Sequence, residues 1–465
     1  MFDLKIETVM LITKPLLILP VLAAALLARC EPDPAPVAPV APVVQACDMA
    51  LTGGQVWDGV SFQRRDVFIG DGHFIDAERS GPCSATLDLA GRYVSPPFAE
   101  GHSHNVEAPW SFAGLNARYL EEGVFYVLNP LNMPGPAQAL HEQIAAVETI
   151  DVNFAHGALT SYRGHPEFVY VAVLSSILYG GAEREAFEGE AFHTVEAPDH
   201  IEPALDLLQA QGSNTVKLVI ANSEHHDERS AFLRDDENWN AIVATSLDET
   251  LDQATRLEAS ERASVGLDPA LAPLIVARIH ARGMRAIAHI DTAVDFDVAV
   301  RAGVDTIVHM PGIALAPGNT LENGTLSDTA IAQAASRGVG VVLTAGVRPE
   351  FTAETDRPAL YAMQHSNIRR LMAAGVPVYI GTDRWQAMAF EEVTYLVETG
   401  AMSPAEAFSA WVATSEIVFP DRRIGKIATG YEADLLVFET DPTTSLEAMG
   451  TIERRMKGGA WLTLD

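Results

Sequence analysis

The sequence predicts an α/β protein: a (β/α)8 barrel with a small β-sandwich domain built from both chain ends. Three observations lead to this prediction. The middle of the chain alternates short apolar runs with helical stretches, both ends are rich in β-like segments, and 48% of the 465 residues are hydrophobic. That apolar content is ample for a core that helices cover on both faces of a sheet.

Residues 1–30 are predicted to be a signal peptide. Residues 15–28 form an apolar run behind Lys14 that suits the core of a signal and is too short for a comfortable membrane span. The run ends in LLARC, which resembles a bacterial lipobox with Cys30 as the lipidated residue, although Arg29 stands where a small residue is usual. The sequence therefore predicts an exported protein, either periplasmic or anchored to the membrane as a lipoprotein.

Residues 31–46 are rich in Pro, Ala and Val, a composition that favours an extended linker over packed structure. If Cys30 carries a lipid, Cys47 and Cys83 are left as a pair in an oxidising compartment. A disulfide between them is the preferred interpretation, and two buried free thiols are the alternative.

Both ends of the mature chain have the pattern of strands and turns. Residues 47–94 and 424–465 carry β-branched and aromatic residues separated by Gly and Asp turns, which predicts one sandwich assembled from the two segments. Between them, residues 95–423 repeat strand and helix often enough for about eight parallel strands. The runs interpreted as strands include GVFYVLN, EFVYVAVL, TVKLVI, MRAIAHI, DTIVHM, VGVVLTAG and VPVYIGTD.

A polar stretch at 221–264 interrupts this rhythm and is predicted to be an insertion after a barrel strand. A lid over the site and a surface decoration are equally consistent with it. The formal charge of -31 repels nucleic acid and anionic lipid headgroups. Solubility or a saline habitat explains such a charge as well as attraction of cations does, so the charge locates no site.

Residues able to bind a metal ion fall at the ends of successive predicted strands. Two histidines share one strand, where residues i and i+2 point to one side and can reach one ion. A lysine inside the apolar run TVKLVI is costly to bury unless it is neutralised or paired. Singly, a strand-end His is more often structural and a strand-end Asp often caps the next helix; the signal is the order His102, His104, Lys217, His289, His309, Asp383.

This order resembles the amidohydrolase superfamily, and within it the imidazolonepropionase-like and prolidase-like branch. The resemblance covers about residues 48–465 and is densest from MRAIAHIDTAVDFDVAVRAGVDTIVHMPG to the end. Three neighbouring positions depart from the branch: Glu100 stands near an Asp of the usual pattern, Asp291 replaces the second His of His-Ala-His-Gly, and Arg384 follows Asp383.

The resemblance implies a site with two divalent metal ions, for which zinc is the expected metal. His102 and His104 would bind the more buried ion, and His289 and His309 the more exposed one. Lys217, carboxylated on its amine, would bridge both ions. Asp383 would bind the buried ion and act as the catalytic acid and base, because two cations lower the pKa of a bridging water and give hydroxide near neutral pH.

The implied reaction is hydrolysis of an amide bond, in a dipeptide or an N-acyl amino acid. Deaminases of the superfamily typically lack the bridging lysine and carry a Glu where this chain has Thr292. Arg348 and Arg384 are candidates to bind the substrate carboxylate, and surface arginines paired with acids are the alternative.

Other functions stay open at this point. The same site would serve a lactonase or esterase, a catalytically inactive barrel that binds a ligand at the cell surface, or a tethered interaction protein. The expected partner is a small-molecule substrate, with no nucleic acid, a membrane tether through the N-terminal lipid only, and an oligomeric state that the sequence leaves undecided.

Overall fold

The structure, a computed structural model, describes residues 45–107, 109–315 and 319–464. The predicted signal peptide 1–30, with the Cys30 lipidation site, lies outside the described residues, as does the predicted linker up to residue 44. The linker boundary at residue 46 was wrong, because the first strand already begins at Gln45, which lies opposite Ser80 of a neighbouring strand.

The strands and helices of the described residues alternate through most of the chain. The strands are β1 Gln45–Thr52, β2 Gln55–Trp57, β3 Phe62–Arg64, β4 Val67–Gly70, β5 His73–Ile75, β6 Ser80–Asp88, β7 Tyr93–Ser95, β8 Phe98–Glu100, β9 Val124–Asn129, β10 Asp151–Phe154, β11 Ala158–Thr160, β12 Phe192–Thr194, β13 Thr215–Ile220, β14 Arg285–Ile290, β15 Thr306–Ile307, β16 Gly340–Leu343, β17 Val378–Ile380, β18 Leu435–Phe438, β19 Ile452–Lys457 and β20 Ala460–Trp461. The helices are α1 Pro109–Glu121, α2 Pro134–Gln138, α3 Ser175–Leu178, α4 Pro198–Ala210, α5 His226–Leu233, α6 Asp236–Leu247, α7 Gln253–Arg262, α8 Ala272–Ala281, α9 Ala293–Ala302, α10 Leu321–Gly324, α11 Asp328–Arg337, α12 Arg357–Ala373, α13 Ala389–Glu398, α14 Pro404–Ala413, α15 Ser415–Val418 and α16 Leu446–Gly450.

Two parallel sheets form the centre of the α/β fold. One has the strand order β10-β9-β8, and the other has the order β12-β11-β13-β14-β15-β16-β17. Strands β9 and β13 are buried along their whole length, as expected for parallel strands that helices cover on both faces. Helix α9 lies between β14 and β15, and helix α11 lies between β15 and β16. They end at Gly303 and Gly338, both with positive φ, as the C-terminal glycines predicted.

One predicted strand is a helix. The run EFVYVAVL lies in a wide, π-type helix at Phe168–Leu174 that continues into α3. Strand β11 occupies the place in the sheet instead, where Leu159 lies opposite Leu218 of β13. A short apolar run has no periodicity that separates a buried strand from a buried helix, which explains the error.

The two chain ends combine in one sheet, as the sequence predicted for their strands. This mixed sheet has the order β20-β19-β18-β7-β2-β3. Strand β7 of the N-terminal segment pairs with β18 of the C-terminal segment, where Ser95 lies opposite Leu436. A second sheet, β5-β4-β1-β6, comes from the N-terminal segment alone. Cys47 of β1 and Cys83 of β6 lie opposite each other and form a disulfide. Both sheets contribute to one apolar cluster that includes Leu51, Ile69, Val94, Leu435 and Met456.

Segment 221–264 folds into a short 3-10 turn followed by α5, α6 and α7, so the predicted insertion is mostly helical. Within the described part of the chain, no helix has both the length and the apolar character needed to cross a membrane.

Candidate metal centre

The structure brings the predicted ligands together at the C-terminal ends of the parallel strands. Lys217 and His289 lie within β13 and β14, whereas His309 and Asp383 lie just beyond β15 and β17. The two histidines His102 and His104 were expected on a strand, but β8 ends at Glu100, so both lie in the bend that follows it. They still share one side of the site because their Nε2 atoms are 3.3 Å apart.

His102, His104 and Asp383 form a compact group of three potential ligand atoms. Asp383 Oδ1 lies 3.2 Å from the Nε2 atom of His102 and 3.2 Å from that of His104. Three ligands about 2.0–2.1 Å from one zinc ion at tetrahedral angles are about 3.3–3.4 Å from one another. The triangle of two imidazole nitrogens and one carboxylate oxygen therefore has the size that one such ion requires.

The hydrogen-bond partners of the two imidazoles also suit a cation site. The Nδ1 atom of His102 lies 2.7 Å from the carbonyl oxygen of Val308, and that of His104 lies 3.1 Å from the carbonyl oxygen of Leu131. Because a carbonyl only accepts, each Nδ1 carries the hydrogen, so each imidazole in its neutral form offers its Nε2 lone pair to the centre. Two lone pairs and a carboxylate oxygen converge there, and a positive charge is what they would jointly bind.

The pKa values at this group are shifted in opposite directions. Burial lowers the pKa of His102 to about 4, although Asp383 partly opposes this effect. Burial would also lower the pKa of His104, but hydrogen bonds to Asp383 and Glu107 outweigh it and raise the pKa to about 9. Burial alone would raise the pKa of Asp383, yet the charges of His102 and His309 hold it well below its usual range. The centre thus favours positive charge beside an ionised Asp383.

The backbone at Asp383 is strained in a way that fixes its side chain. Its φ of 49° lies in the left-handed region, which non-glycine residues seldom adopt. Its N–H donates to the carbonyl oxygen of His102 over 3.0 Å, which ties the β17 loop to the β8 loop. The alternative that Asp383 caps the next helix does not hold, because α13 begins at Ala389 with Met388 as its N-cap.

Glu100 is a buried residue behind this group that the sequence analysis noted only as a departure. Its Oε1 accepts hydrogen bonds from the N–H of His102 at 3.2 Å and of Thr382 at 3.0 Å. Its Oε2 lies 3.3 Å from the Thr382 hydroxyl, and burial raises the pKa of Glu100 well above its usual range. One carboxyl group therefore connects both loops that carry the ligands.

Lys217 is buried in β13, with only 2% of its surface exposed. Burial lowers its pKa to about 8, although Asp383 opposes this effect. An amine with such a pKa is partly neutral near pH 8, and the neutral form is the one that reacts with CO₂. The residue thus fits the carboxylated lysine that the resemblance implied.

His309 and His289 continue the site on the other side of Asp383. The Nδ1 atom of His309 lies 3.6 Å from Asp383 Oδ2 and 3.1 Å from the Thr344 hydroxyl. Its ring is 4.4 Å from that of His289, and burial lowers the pKa of His309 well below its usual value. His289 Nε2 lies 3.1 Å from Asp291 Oδ1, and its buried Nδ1 has no hydrogen-bond partner among the described residues.

Two further residues at the site were not predicted as members of it. His165 stacks on the ring of His289 with centroids 4.5 Å apart. Asp291 was recognised only as a replacement for a histidine, and the short spacing His-Ile-Asp was the available signal for it.

The predicted substrate-binding arginines lie further out. Arg384 is 3.8 Å from Glu391 and is exposed, which matches the alternative of a surface ion pair. Arg348 is also exposed and lies over the ring of Phe351, 5.5 Å from its centroid. Its charge lowers the pKa of Glu261, a residue of α7 whose pKa burial and Asp291 raise to about 7. Arg348 is therefore close enough to Glu261 for their charges to interact.

Comparison with known proteins identifies relatives of this fold. The amidohydrolase family profile matches residues 195–462. A solved amidohydrolase has a TM-score of 0.62 and 20% identity, covering 90% of this chain and 99% of its own. A prolidase in complex with N-methylphosphonate-L-proline has a TM-score of 0.60 and 19% identity, covering 89% of this chain and 99% of its own. A Xaa-Pro dipeptidase with bound methionine has a TM-score of 0.60 and 15% identity, covering 89% of this chain and 99% of its own. At these identities the structures show a shared fold. No curated protein matches this chain by sequence.

Proposed function

The chain belongs to the amidohydrolase family and is a hydrolase of that family, and we propose that it cleaves the amide bond of a dipeptide or an N-acyl amino acid with two divalent metal ions. The observation that carries this proposal is the triangle of His102, His104 and Asp383, whose ligand atoms lie within 4.8 Å of one another. Lys217, His289 and His309 supply the remaining ligands, and zinc is the expected metal.

In the proposed site, His102, His104 and Asp383 would hold one ion, and His289 and His309 would hold the other. Lys217, carboxylated on Nζ, connects the two sets. When bound, two such ions lower the pKa of a water molecule between them and polarise the carbonyl oxygen of a substrate.

Asp383 moves the proton in the proposed reaction. Its Oδ1 faces both Nε2 atoms at 3.2 Å, whereas its Oδ2 has a single looser neighbour, His309 Nδ1 at 3.6 Å. Oδ2 is thus the atom that accepts a proton from the attacking water and donates it to the leaving amine. Because the pKa of Asp383 is held well below its usual range, the carboxylate is ionised before each turnover and releases the proton readily.

The substrate class rests on relatives of the same fold. Two of them are a prolidase bound to a proline phosphonate and a Xaa-Pro dipeptidase. A substrate with a free carboxylate needs a cation, and Arg348 suits this role better than Arg384, which is already 3.8 Å from Glu391.

A hydrolysis screen on metal-reconstituted protein tests this function. The panel contains dipeptides, N-acyl amino acids, esters and lactones, with metal content measured by elemental analysis on the same samples. We expect two metal equivalents and turnover of at least one amide, abolished by a chelator. Turnover of esters or lactones alone would show that the protein is an esterase or lactonase and not an amide hydrolase. Metal-loaded protein that turns over no substrate would favour the inactive ligand-binding barrel.

The finer architecture is part of the proposal. We propose that the two central sheets close into one barrel. A hydrogen bond of 2.8 Å from the Gly101 N–H to the Ile380 carbonyl oxygen, between the ends of β8 and β17, supports this closure. The apolar cluster shared by the two outer sheets likewise supports a sandwich.

We also propose that the protein is exported, which agrees with the disulfide between Cys47 and Cys83. Fractionation of cells that produce the full chain tests this idea. We expect the protein outside the cytoplasm, and replacement of Cys30 by Ala separates lipid anchoring from simple cleavage. Protein confined to the cytoplasm would overturn the proposal.

A further inference from the structure

Asp291, the residue just beyond β14, connects His289 to both ends of segment 221–264. Its Oδ1 accepts from His289 Nε2 at 3.1 Å. Its Oδ2 accepts from the Ser264 hydroxyl at 2.5 Å and from the Asn222 side-chain amide at 3.1 Å. Both carboxylate oxygens are therefore occupied, one by a proposed metal ligand and the other by the insertion.

The first of these contacts decides which nitrogen of His289 is available. A carboxylate only accepts hydrogen bonds, so the Nε2 atom of His289 carries the hydrogen. The lone pair of the neutral imidazole then lies on Nδ1, which is buried and has no hydrogen-bond partner among the described residues. A buried nitrogen with an unused lone pair is costly unless something binds it, and a metal ion beside His309 would do so.

The other contacts fix the position of Asp291 itself. The Asn222 amide also donates to the carbonyl oxygen of Ser264 at 3.1 Å, so the two ends of the insertion are joined to each other. Arg229 of α5 donates to the same carbonyl at 2.9 Å, which anchors the first helix of the insertion to its exit. The carboxylate of buried Asp295 accepts from the N–H groups of Asp291 and Asn222 at 3.2 Å and 2.9 Å.

We propose that Asp291 is a positioning residue that holds His289 with Nδ1 directed at the more exposed ion, and that segment 221–264 is the brace that holds Asp291. This inference rests on the two-ion site of the proposed function. It gives the insertion a role that is neither a lid nor a decoration: its two ends complete the support of a metal ligand.

Zinc titration of the metal-free protein against a chromophoric chelator, at fixed bicarbonate concentration, tests the proposal. The unaltered protein should bind zinc in two steps, and His289→Ala identifies the step that depends on His289. We expect Asp291→Ala to weaken that same step by about 10–100-fold, the usual scale for a lost partner of a metal-bound histidine, and to leave the other step unchanged. Asp291→Asn, which keeps an oxygen that can accept from Nε2, should recover part of the loss.

Two milder variants keep the test decisive even if Asp291→Ala folds poorly. Ser264→Ala removes the contact from the insertion and should weaken the same step to a smaller extent. Asp297→Ala is the matched control, because its carboxylate pairs with Arg301 at 2.9 Å on α9 and does not contact the site; both steps should stay as they were. The positioning role is overturned if Asp291→Ala and Ser264→Ala both leave the His289-dependent step intact. A single zinc step in the unaltered protein would instead overturn the two-ion site and this inference with it.

Discussion

The two halves of the proposed metal centre are held in place by different kinds of group. In the carbonyl-held half (His102, His104 and Asp383), both imidazoles donate from Nδ1 to main-chain carbonyl oxygens. In the side-chain-held half (His289 and His309), the imidazoles contact the Asp291 carboxylate and the Thr344 hydroxyl.

This difference separates what the fold guarantees from what individual side chains must supply. A main-chain carbonyl survives any substitution that preserves the backbone, so the first half persists as long as the strands do. The partners of the second half can be removed one at a time. We therefore expect the carbonyl-held half to keep its ion under changes that empty the side-chain-held half.

The largest effect is expected at Lys217, the proposed bridge between the two halves. Lys217→Ala removes the proposed bridge and should abolish hydrolysis, measured as kcat/KM on the best substrate of the screen. Small carboxylic acids should restore part of the activity, because they can enter the space left by the side chain. Full activity in a folded Lys217→Ala variant would refute the bridge and leave the two halves independent.

The next effect concerns proton transfer within the carbonyl-held half. Asp383→Asn keeps the size of the side chain but cannot accept a proton at Oδ2, so we expect kcat to fall by at least about 10²-fold, the usual scale for a lost acid–base group. Metal content and circular dichroism of the same sample are the controls. A folded, metal-loaded variant with near-normal kcat would show that Asp383 has only a structural role.

A smaller effect is expected at Glu100, a side chain that supports the carbonyl-held half. Glu100→Ala removes the acceptor for the N–H groups of His102 and Thr382 and should weaken the zinc step that does not depend on His289 by about 10–100-fold. Burial raises the pKa of Glu100 well above its usual range, and Glu100→Gln keeps an oxygen that can accept from both N–H groups, so we expect this variant to have little effect on zinc binding. Equal weakening of zinc binding by Glu100→Ala and Glu100→Gln would mean that a negative charge is required at this position.

The smallest effect on the centre is expected from the disulfide, which lies outside both halves. The bond closes a loop with a sequence separation of 36, so its reduction should lower the free energy of unfolding by about 2–4 kcal/mol. Both zinc steps should be unchanged under the same reductant. Loss of an ion on reduction would show that the outer sheets and the metal centre are not independent.

The sequence singled out the candidate ligands more readily than the residues that support them. Lys217 and His289 were found because a polar residue inside an apolar strand stands out locally. Glu100 was not assigned a role, because its partner Thr382 is 282 residues away along the chain, and no local pattern reveals that contact. Similarly, the importance of Asp291 depends on Ser264, which belongs to another segment.

The fold shows the same limit. Runs such as TVKLVI and RAIAHI are strands as predicted, whereas EFVYVAVL is helical although it is equally apolar. The sheet position that it was expected to fill is taken by the three-residue strand β11, which is too short to be recognised before its neighbours are known. Long-range pairing, rather than local propensity, decided both cases.

The hydrogen bond between the two ends of segment 221–264 has a consequence for how this enzyme could be altered. Because the Asn222 amide lies 3.1 Å from the Ser264 carbonyl, the segment begins and ends at nearly the same point. Replacements between these residues that keep the Arg229 contact should leave the spacing of the strands unchanged, which is the geometry that tolerates grafted segments. Grafts that keep both end residues should alter access for substrates while the zinc ligands stay in place, so a library of new specificities is best built between these two positions.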